Sequence, residues 1–485
     1  MNDKPRSYRN LWLALAGVIT LSFVALGYFG RQIYYQAPPI PARVVTADGT
    51  VLFTGQDIKD GQNVWQSIGG EEVGTVWGHG AYVAPDWSAD WLHREATWML
   101  DRWAKASGKS YDQLDVETQA ALRARLQKEI RFNTYNARTG DLVVSPLRAE
   151  AIQAVGAHYE KLFAGDPALD ELRKSYAIPA NTIKTAERQR LMNAFFFWTA
   201  WACGTDRPGS DISYTHNWPA EALIGNAPTA SIVVWSIVSV IVLLAGVGAM
   251  VWYNARQSLS EDREEHAAPQ SDPLLGLKVT PSMRATLKYF WIVVALIAVQ
   301  VGLGAVTAHY GVEGNGFFGI PLAKYLPYSV VRIWHTQIGI FWIATAWLAT
   351  GLFVAPAVGG REPLGQRLGV NFLFTCLLVI VAGSLAGEWL GVQQKLGYAA
   401  NFWFGEQGYE YVDLGRFWQI FLFVGLFVWL FLMVRALWPA LRNPGPNRHL
   451  LALFVVASTA IASFYGAGLM WGRQTHLAMA EYWRW

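Results

Sequence analysis

The sequence predicts a mainly α, polytopic transmembrane helix bundle, with an N-terminal anchor and a large non-membrane domain inserted after it. Three observations carry this prediction. Seven apolar runs are each close to the length a helix needs to cross a bilayer. Of the 485 residues, 53% are hydrophobic, 24 are Trp and only 15% are charged, which is too apolar for an ordinary soluble chain. About 195 residues of mixed polarity, 34 to 228, separate the first two runs, enough for a domain of their own.

The first run is LWLALAGVITLSFVALGYFG, Leu11 to Gly30. Lys4, Arg6 and Arg9 before it resemble a signal peptide's basic region, but the run is long and no A-x-A site follows. Residues 1–33 therefore read as a retained anchor. Residues 34–228 mix a strand-like piece, RVVTADGTVLFTG, with the helical pieces VETQAALRARLQKEIRF and SPLRAEAIQAVGAHYEKLF. The second run, Ser231 to Tyr253, belongs to a linking unit over 229–283. The last unit, 284–485, holds runs at 285–309, 329–356, 369–391, 415–438 and 449–470.

Orientation follows from the short loops. Residues 254–284, Arg361 and Arg367, and Arg442 and Arg448 fall on the same side as the basic N-terminus. The positive-inside tendency makes that side cytoplasmic. The chain then lies in a bacterial inner membrane with its domain in the periplasm. A net charge of +3 without a Lys/Arg run excludes a nucleic-acid partner. Cys203 and Cys376 form no CxxC, CxxCH or zinc spacing, which excludes covalent c-type haem and structural zinc. Only Cys376 falls in an apolar span, so no disulfide is expected.

Within VVRIWHTQIGIFW, Val330 to Trp342, an apolar span carries Arg332 and His335. If the span starts near Ser329, His335 is about 9 Å inside it. An ionisable group there implies function or a specific partner. The plain reading is a histidine hydrogen-bonded to a neighbouring helix. The functional one is a haem ligand. Gly339, one turn on, leaves room for a flat macrocycle, Arg332 is placed to pair with a propionate, and Trp334 and Trp342 are planar neighbours. A second axial ligand has no obvious source: His309, His449 and His476 all sit at span ends.

In TAHYGVEG, His309 and Glu313 share a face if the helix continues that far. Such a pair suits the two oxygens and released protons of a quinol head. The alternative is a polar helix end before a Gly-rich loop. After the fifth span, Glu388, Glu406, Glu410 and Asp413 form an oxygen-rich loop, able to hold a hard cation or simply solvated.

WGHGAYVAPDWSADWLHREA (Trp77–Ala96), AHYGVEG (Ala308–Gly314), VRIWHTQIGIFWIATAW (Val331–Trp347) and GYEYVDLGRFWQ (Gly408–Gln419) together resemble the bacterial quinol-dependent nitric oxide reductases, a branch of the haem-copper oxidase superfamily. The resemblance runs along the whole chain. It implies a haem-copper oxidase-like core and a periplasmic cytochrome c-like domain lacking haem c, in line with the missing CxxCH. It implies electrons from quinol and reduction of NO to N₂O, in denitrification or NO detoxification. By resemblance, His335 is an axial ligand of a low-spin haem b, with Arg332 beside it, and His309 and Glu313 line the quinol site. Calcium would lie between the backbone of Gly80, the side chain of Tyr82, and Glu410, with Asp413 nearby.

One departure stands out. The family's haem b₃ and non-haem iron are held by later helices carrying an H-L-x-V-E-G type motif and a His-His pair, and neither is present. No catalytic residue is therefore assigned within the chain. It is expected to be the N-terminal part of a longer enzyme, inactive alone. Homodimerisation stays open. Two other readings are a quinol oxidase reducing O₂, which GHGAYVAPDW disfavours, and a membrane transporter or receptor, for which internal repeats or broken spans are expected but not clear.

Overall fold

The computed structural model describes residues 8–260, 272–407, 414–443 and 448–471. The chain enters through α1 (Arg9–Gln36), an apolar helix whose one buried residue is Gly30. The strand-like piece then folds as a hairpin, β1 (Arg43–Thr46) and β2 (Val51–Thr54), turning through Gly49 at a φ of 89°. Thr54 ends β2 and caps α2 (Gly55–Ser67). Its side chain accepts from the Asp57 amide while the Asp57 carboxylate accepts from the Thr54 amide, a reciprocal cap.

The head continues through α3 (Gly70–Val73), β3 (Thr75–Val76), β4 (His79–Gly80) and α4 (Trp87–Ala104), the last capped by Asp86. The two helical pieces fold as expected. They are α5 (Val116–Arg131), capped by Asp115, and α6 (Pro146–Ala164), capped by Ser145 with Pro146 at its first position. Between them β5 (Asp141–Val144) pairs parallel with β1, giving a sheet of order β2-β1-β5. After α7 (Asp170–Ser175) comes α8 (Ala186–Gly204), buried continuously from Leu191 to Gly204. An all-round apolar helix needs cover on every side. Here α2, α4 and α6 supply it. At Gly61 a Cβ would stand 2.0 Å from the Leu191 carbonyl oxygen, so α2 and α8 touch backbone to backbone.

Aromatic rings fill the head. Trp87 stacks on Phe196 with centroids 5.5 Å apart, and Trp91 on Tyr159 at 5.4 Å. Beside them the buried Arg148 Nε donates to Glu95 Oε1 at 2.6 Å, while Glu95 Oε2 accepts from Trp91 Nε1 at 3.1 Å. Cys203 is buried in α8 and, like Cys376, is a free thiol.

Beyond the head, α9 (Ala230–Ser260) stands nearly alone. Then α10 (Pro281–Ala285) leads into α11 (Leu287–Glu313), and α12 (Leu322–Tyr325) precedes α13 (Tyr328–Gly359). Next come α14 (Gln366–Val392), α15 (Tyr398–Phe404), α16 (Arg416–Arg442) and α17 (Arg448–Trp471). Among the described residues seven helical stretches are long and apolar enough to cross a membrane, including the first and α9. The chain is a multi-pass membrane protein.

The centre of the bundle is α13. It packs along α11 and against α14 and α16. A Cβ at Gly359 would stand 1.9 Å from the Ala436 carbonyl oxygen, which brings α13 and α16 into backbone contact. The anchor α1 lies along α17, where Phe23 stacks on Phe464 with centroids 5.3 Å apart. The head rests on one end of the bundle: Lys184 Nζ donates to the Gln393 carbonyl at 2.8 Å and Arg188 Nη1 to Gln394 Oε1 at 3.2 Å.

Two expectations are corrected. Glu388 is not in a loop, because α14 runs to Val392 and encloses it. Nor are Glu388 and Glu406 solvated; they are 0% and 1% exposed. Glycines account for this. At Gly387 and Gly391 the backbone of 404–406 lies directly against α14, with Glu406 Cβ 3.1 Å from a Cβ built at Gly391.

Candidate functional site

His335 lies in the seam between α13 and α11. Its Nδ1 is 2.9 Å from the backbone oxygen of Gln300. A carbonyl oxygen can only accept, so Nδ1 carries the proton and Nε2 keeps its lone pair. The ring fits because residue 304 on α11 is glycine: a Cβ there would be 2.9 Å from His335 Cε1.

Gln300 clamps the arrangement. Its Oε1 accepts from Trp342 Nε1 at 2.6 Å, and its Nε2 donates to the His335 carbonyl at 3.3 Å. Sequence reasoning did not single it out, although a lone glutamine in the apolar stretch IVVALIAVQVGLGAV is a signal that could have found it. The structure also corrects the reading of Gly339. Its open face is occupied by the Gln300 amide, whose Nε2 would be 2.5 Å from a Cβ there, so Gly339 admits the clamp and not a macrocycle. Trp334 likewise serves a helix contact, donating to the Leu385 carbonyl at 3.1 Å.

These residues do fit a haem ligand in one respect. Ligating histidines characteristically donate their second ring N–H to a carbonyl or carboxylate, which fixes the ring and strengthens the ligating nitrogen. His335 has that second contact, with Nε2 making no hydrogen bond among the described residues. The second-ligand candidates give no partner. His309 is engaged near the far end of α11, His449 accepts from Trp12 at the foot of α1 (3.0 Å), and His476 lies outside the described residues.

Arg332 sits one turn before His335, with its Nε 2.5 Å from Glu72 Oε2. Glu72 is fully buried in α3 and Arg332 is 26% exposed, so the expected propionate partner is matched by a carboxylate from the head. The close approach of the two parts is made possible by Gly69, at a φ of 71°, where a Cβ would meet Ser329 Cβ at 2.7 Å. Glu72 was not singled out from the sequence.

The helix α11 does continue to Glu313, so His309 and Glu313 share a face, with Nδ1 and Oε2 3.6 Å apart. His309 Nε2 donates to the Gly316 carbonyl at 2.6 Å, and its ring meets Phe317 edge-on at 4.8 Å. His309 lies nine residues beyond Gln300, about 13.5 Å along the helix, and Glu313 one turn further.

Gly80 has a φ of 129°, and a Cβ there would stand 2.6 Å from the Gly74 oxygen and 2.9 Å from that of Glu71, so only glycine fits. Tyr82, two residues on, is 85% exposed. Glu410 and Asp413 lie outside the described residues. Among the described residues no group of three or more His, Cys, Asp or Glu side chains is placed to hold a metal ion.

Residues 41–220 match the family model of the NorB cytochrome c-like domain of nitric oxide reductase. Residues 284–485 match that of cytochrome c and quinol oxidase polypeptide I. The second match reaches residue 485 and lends no support to the expectation that the core continues beyond it. No curated protein matches the chain. Together the two matches cover the head and the helical core in order, and they make the chain a NorB-like membrane oxidoreductase of the haem-copper oxidase kind.

Proposed function

We propose that this membrane oxidoreductase takes electrons from quinol and reduces nitric oxide, with two NO, two electrons and two protons giving N₂O and water. The observation that carries the reading is His335. It is an imidazole inside a membrane-spanning helix, held by Nδ1 so that Nε2 is offered as a base. A low-spin haem b bound there would supply one-electron relay chemistry.

The chain's own residues divide the remaining work. Quinol hydroxyls would donate to His309 and Glu313 at the end of α11, and these side chains would take up the protons released on oxidation. Binding requires His309 Nε2 to leave the Gly316 carbonyl and the ring proton to move to Nδ1, on the Glu313 side, so that Nε2 can accept from the quinol hydroxyl. Arg332 and Glu72 fix the head over this end of the bundle. By the resemblance, the Gly80 backbone, the Tyr82 side chain and Glu410 would hold calcium. The chain has no CxxCH, so the head offers no covalent haem to a soluble electron donor, which favours quinol. The basic loops favour a head in the periplasm and a bundle in the inner membrane.

The test is spectroscopic. In membranes carrying the protein, the dithionite-reduced spectrum should show a low-spin b-type haem, and His335→Ala should abolish that signal. An unchanged spectrum in the variant overturns the assignment.

A further inference from the structure

Under the head, where α1 leaves the membrane and α9 returns to it, a groove of about 790 Å³ opens, a volume typical of small-ligand sites. Its walls are membrane helix faces, among them Ile33 of α1 and Ile237 of α9; its roof is the head, with Arg207, His79, His216 and Trp218. No residue of α9 in the membrane is buried, and α1 buries only Gly30, so the groove opens onto lipid. The exposed Trp218 marks the level of the membrane boundary, where indoles concentrate.

Arg207 is the singular feature. It is half-buried, and none of its partners is charged: Nη1 donates to Gln36 Oε1 at 2.6 Å and Nη2 to the Tyr214 carbonyl at 2.7 Å. Its Nε is buried without a hydrogen bond. The neighbouring Asp206 is turned away, accepting from Arg131 at 2.6 Å. Among the described residues no Asp or Glu lines the groove. Burial pulls the Arg207 guanidinium below its ordinary pKa, and no carboxylate offsets that. A guanidinium withdrawn from water without an anion is costly, and it is the side chain best matched to a phosphate.

The occupant must therefore be apolar along the helices and anionic at the head. A quinol would leave Arg207 uncompensated, and a soluble anion would leave the apolar walls wet. We propose that this groove is a phospholipid site, with the headgroup phosphate on Arg207 and the acyl chains between α1 and α9. The lipid supplies the packing that α9 lacks and ties both flanking helices to the head. This inference stands apart from the quinol reading.

Native mass spectrometry of the full chain, washed in detergent and then given phosphatidylglycerol, tests it. The wild type should retain one more phospholipid than Arg207→Gln, with at least tenfold weaker retention in the variant. Arg207→Lys, which keeps the charge, should recover most of it. Val233→Trp fills the groove without touching Arg207 and should also expel the lipid. Millimolar inorganic phosphate should leave the bound lipid in place. Equal retention in wild type, Arg207→Gln and Val233→Trp overturns the proposal, as does displacement by inorganic phosphate or by a short-chain quinol.

Discussion

The helices α9 and α13 have 31 and 32 residues and are both apolar enough to cross a membrane, yet they do opposite things. The mean hydropathy of α9 is 2.6 over its best window, with 0% of that window buried; for α13 the values are 1.9 and 50%. The more hydrophobic helix is the one that faces lipid, and the less hydrophobic one forms the centre. A lipid-facing surface must be apolar throughout, whereas an internal one can carry polar groups if each finds a partner. From Ser231 to Tyr253, α9 carries no charged residue. In α13, Arg332 finds Glu72 and His335 finds the Gln300 carbonyl. The polar residues of α13 are thus the mark of its position, and they concentrate at the end that carries the head.

The strongest way to break this comparison is to remove a partner from α13. Glu72→Gln leaves Arg332 facing a neutral amide in a place where the carboxylate was fully buried. Breaking a buried pair from one side costs about 3–5 kcal/mol, and the partial exposure of Arg332 puts the expected loss near the lower figure. The measurement is the thermal unfolding midpoint in detergent, which should fall. Adding Arg332→Met should restore part of the loss, since the stranded charge is then gone. A Glu72→Gln protein as stable as the wild type would mean that α13 tolerates an arginine without a carboxylate partner, and the comparison with α9 would lose its basis.

How much of this could be read from the sequence differs by feature. The spans were legible because an uninterrupted apolar run near twenty residues is rare outside a membrane-crossing helix. The strand character of β1 and β2 was legible in RVVTADGTVLFTG, but the hairpin that folds at Gly49 was not singled out. The strand β5 was not, because DLVV is only four residues and its partner β1 lies 98 positions away in sequence at Arg43–Asp141. The burial of α8 was hidden because a short all-apolar stretch looks the same in a globular core and in part of a span. At the site, His335 stood out as an ionisable group in an apolar run. Its setting did not, because Gln300 acts through its backbone and its amide at once. Glu72 was hidden most completely. In GGEEVG it looks like a solvated loop, and its partner Arg332 lies 260 positions away.

Glycine substitutions sharpen the comparison at smaller cost. At Gly339 in α13, a Cβ would meet Gln300 Nε2 at 2.5 Å. The amide is the movable end of its side chain, so Gly339→Ala should shift Gln300 rather than break the helix. The expected loss is about 1–2 kcal/mol. Because Gln300 also bonds to the His335 carbonyl, the haem spectrum should shift with it, a readout that simple overpacking elsewhere in the bundle would not move.

The matching change in α9 is Gly246→Ala, where nothing lies within 4 Å of the added methyl. A helix gains about 0.5–1 kcal/mol when an interior glycine becomes alanine, through the entropy of the unfolded chain. With no neighbour to disturb, Gly246→Ala should leave the unfolding midpoint unchanged or raise it slightly, and leave the spectrum unaltered. This is the smallest effect of the set and the one most specific to α9 being bare. A clear loss of stability would show that another surface packs against that glycine, such as a second copy of the chain, and α9 would then be an internal helix of a larger assembly. The oligomeric state of the purified variant, compared with wild type by size-exclusion light scattering, separates the two outcomes: a shift toward monomer together with destabilisation identifies the second copy, and an unchanged mass with an unchanged midpoint leaves α9 facing lipid.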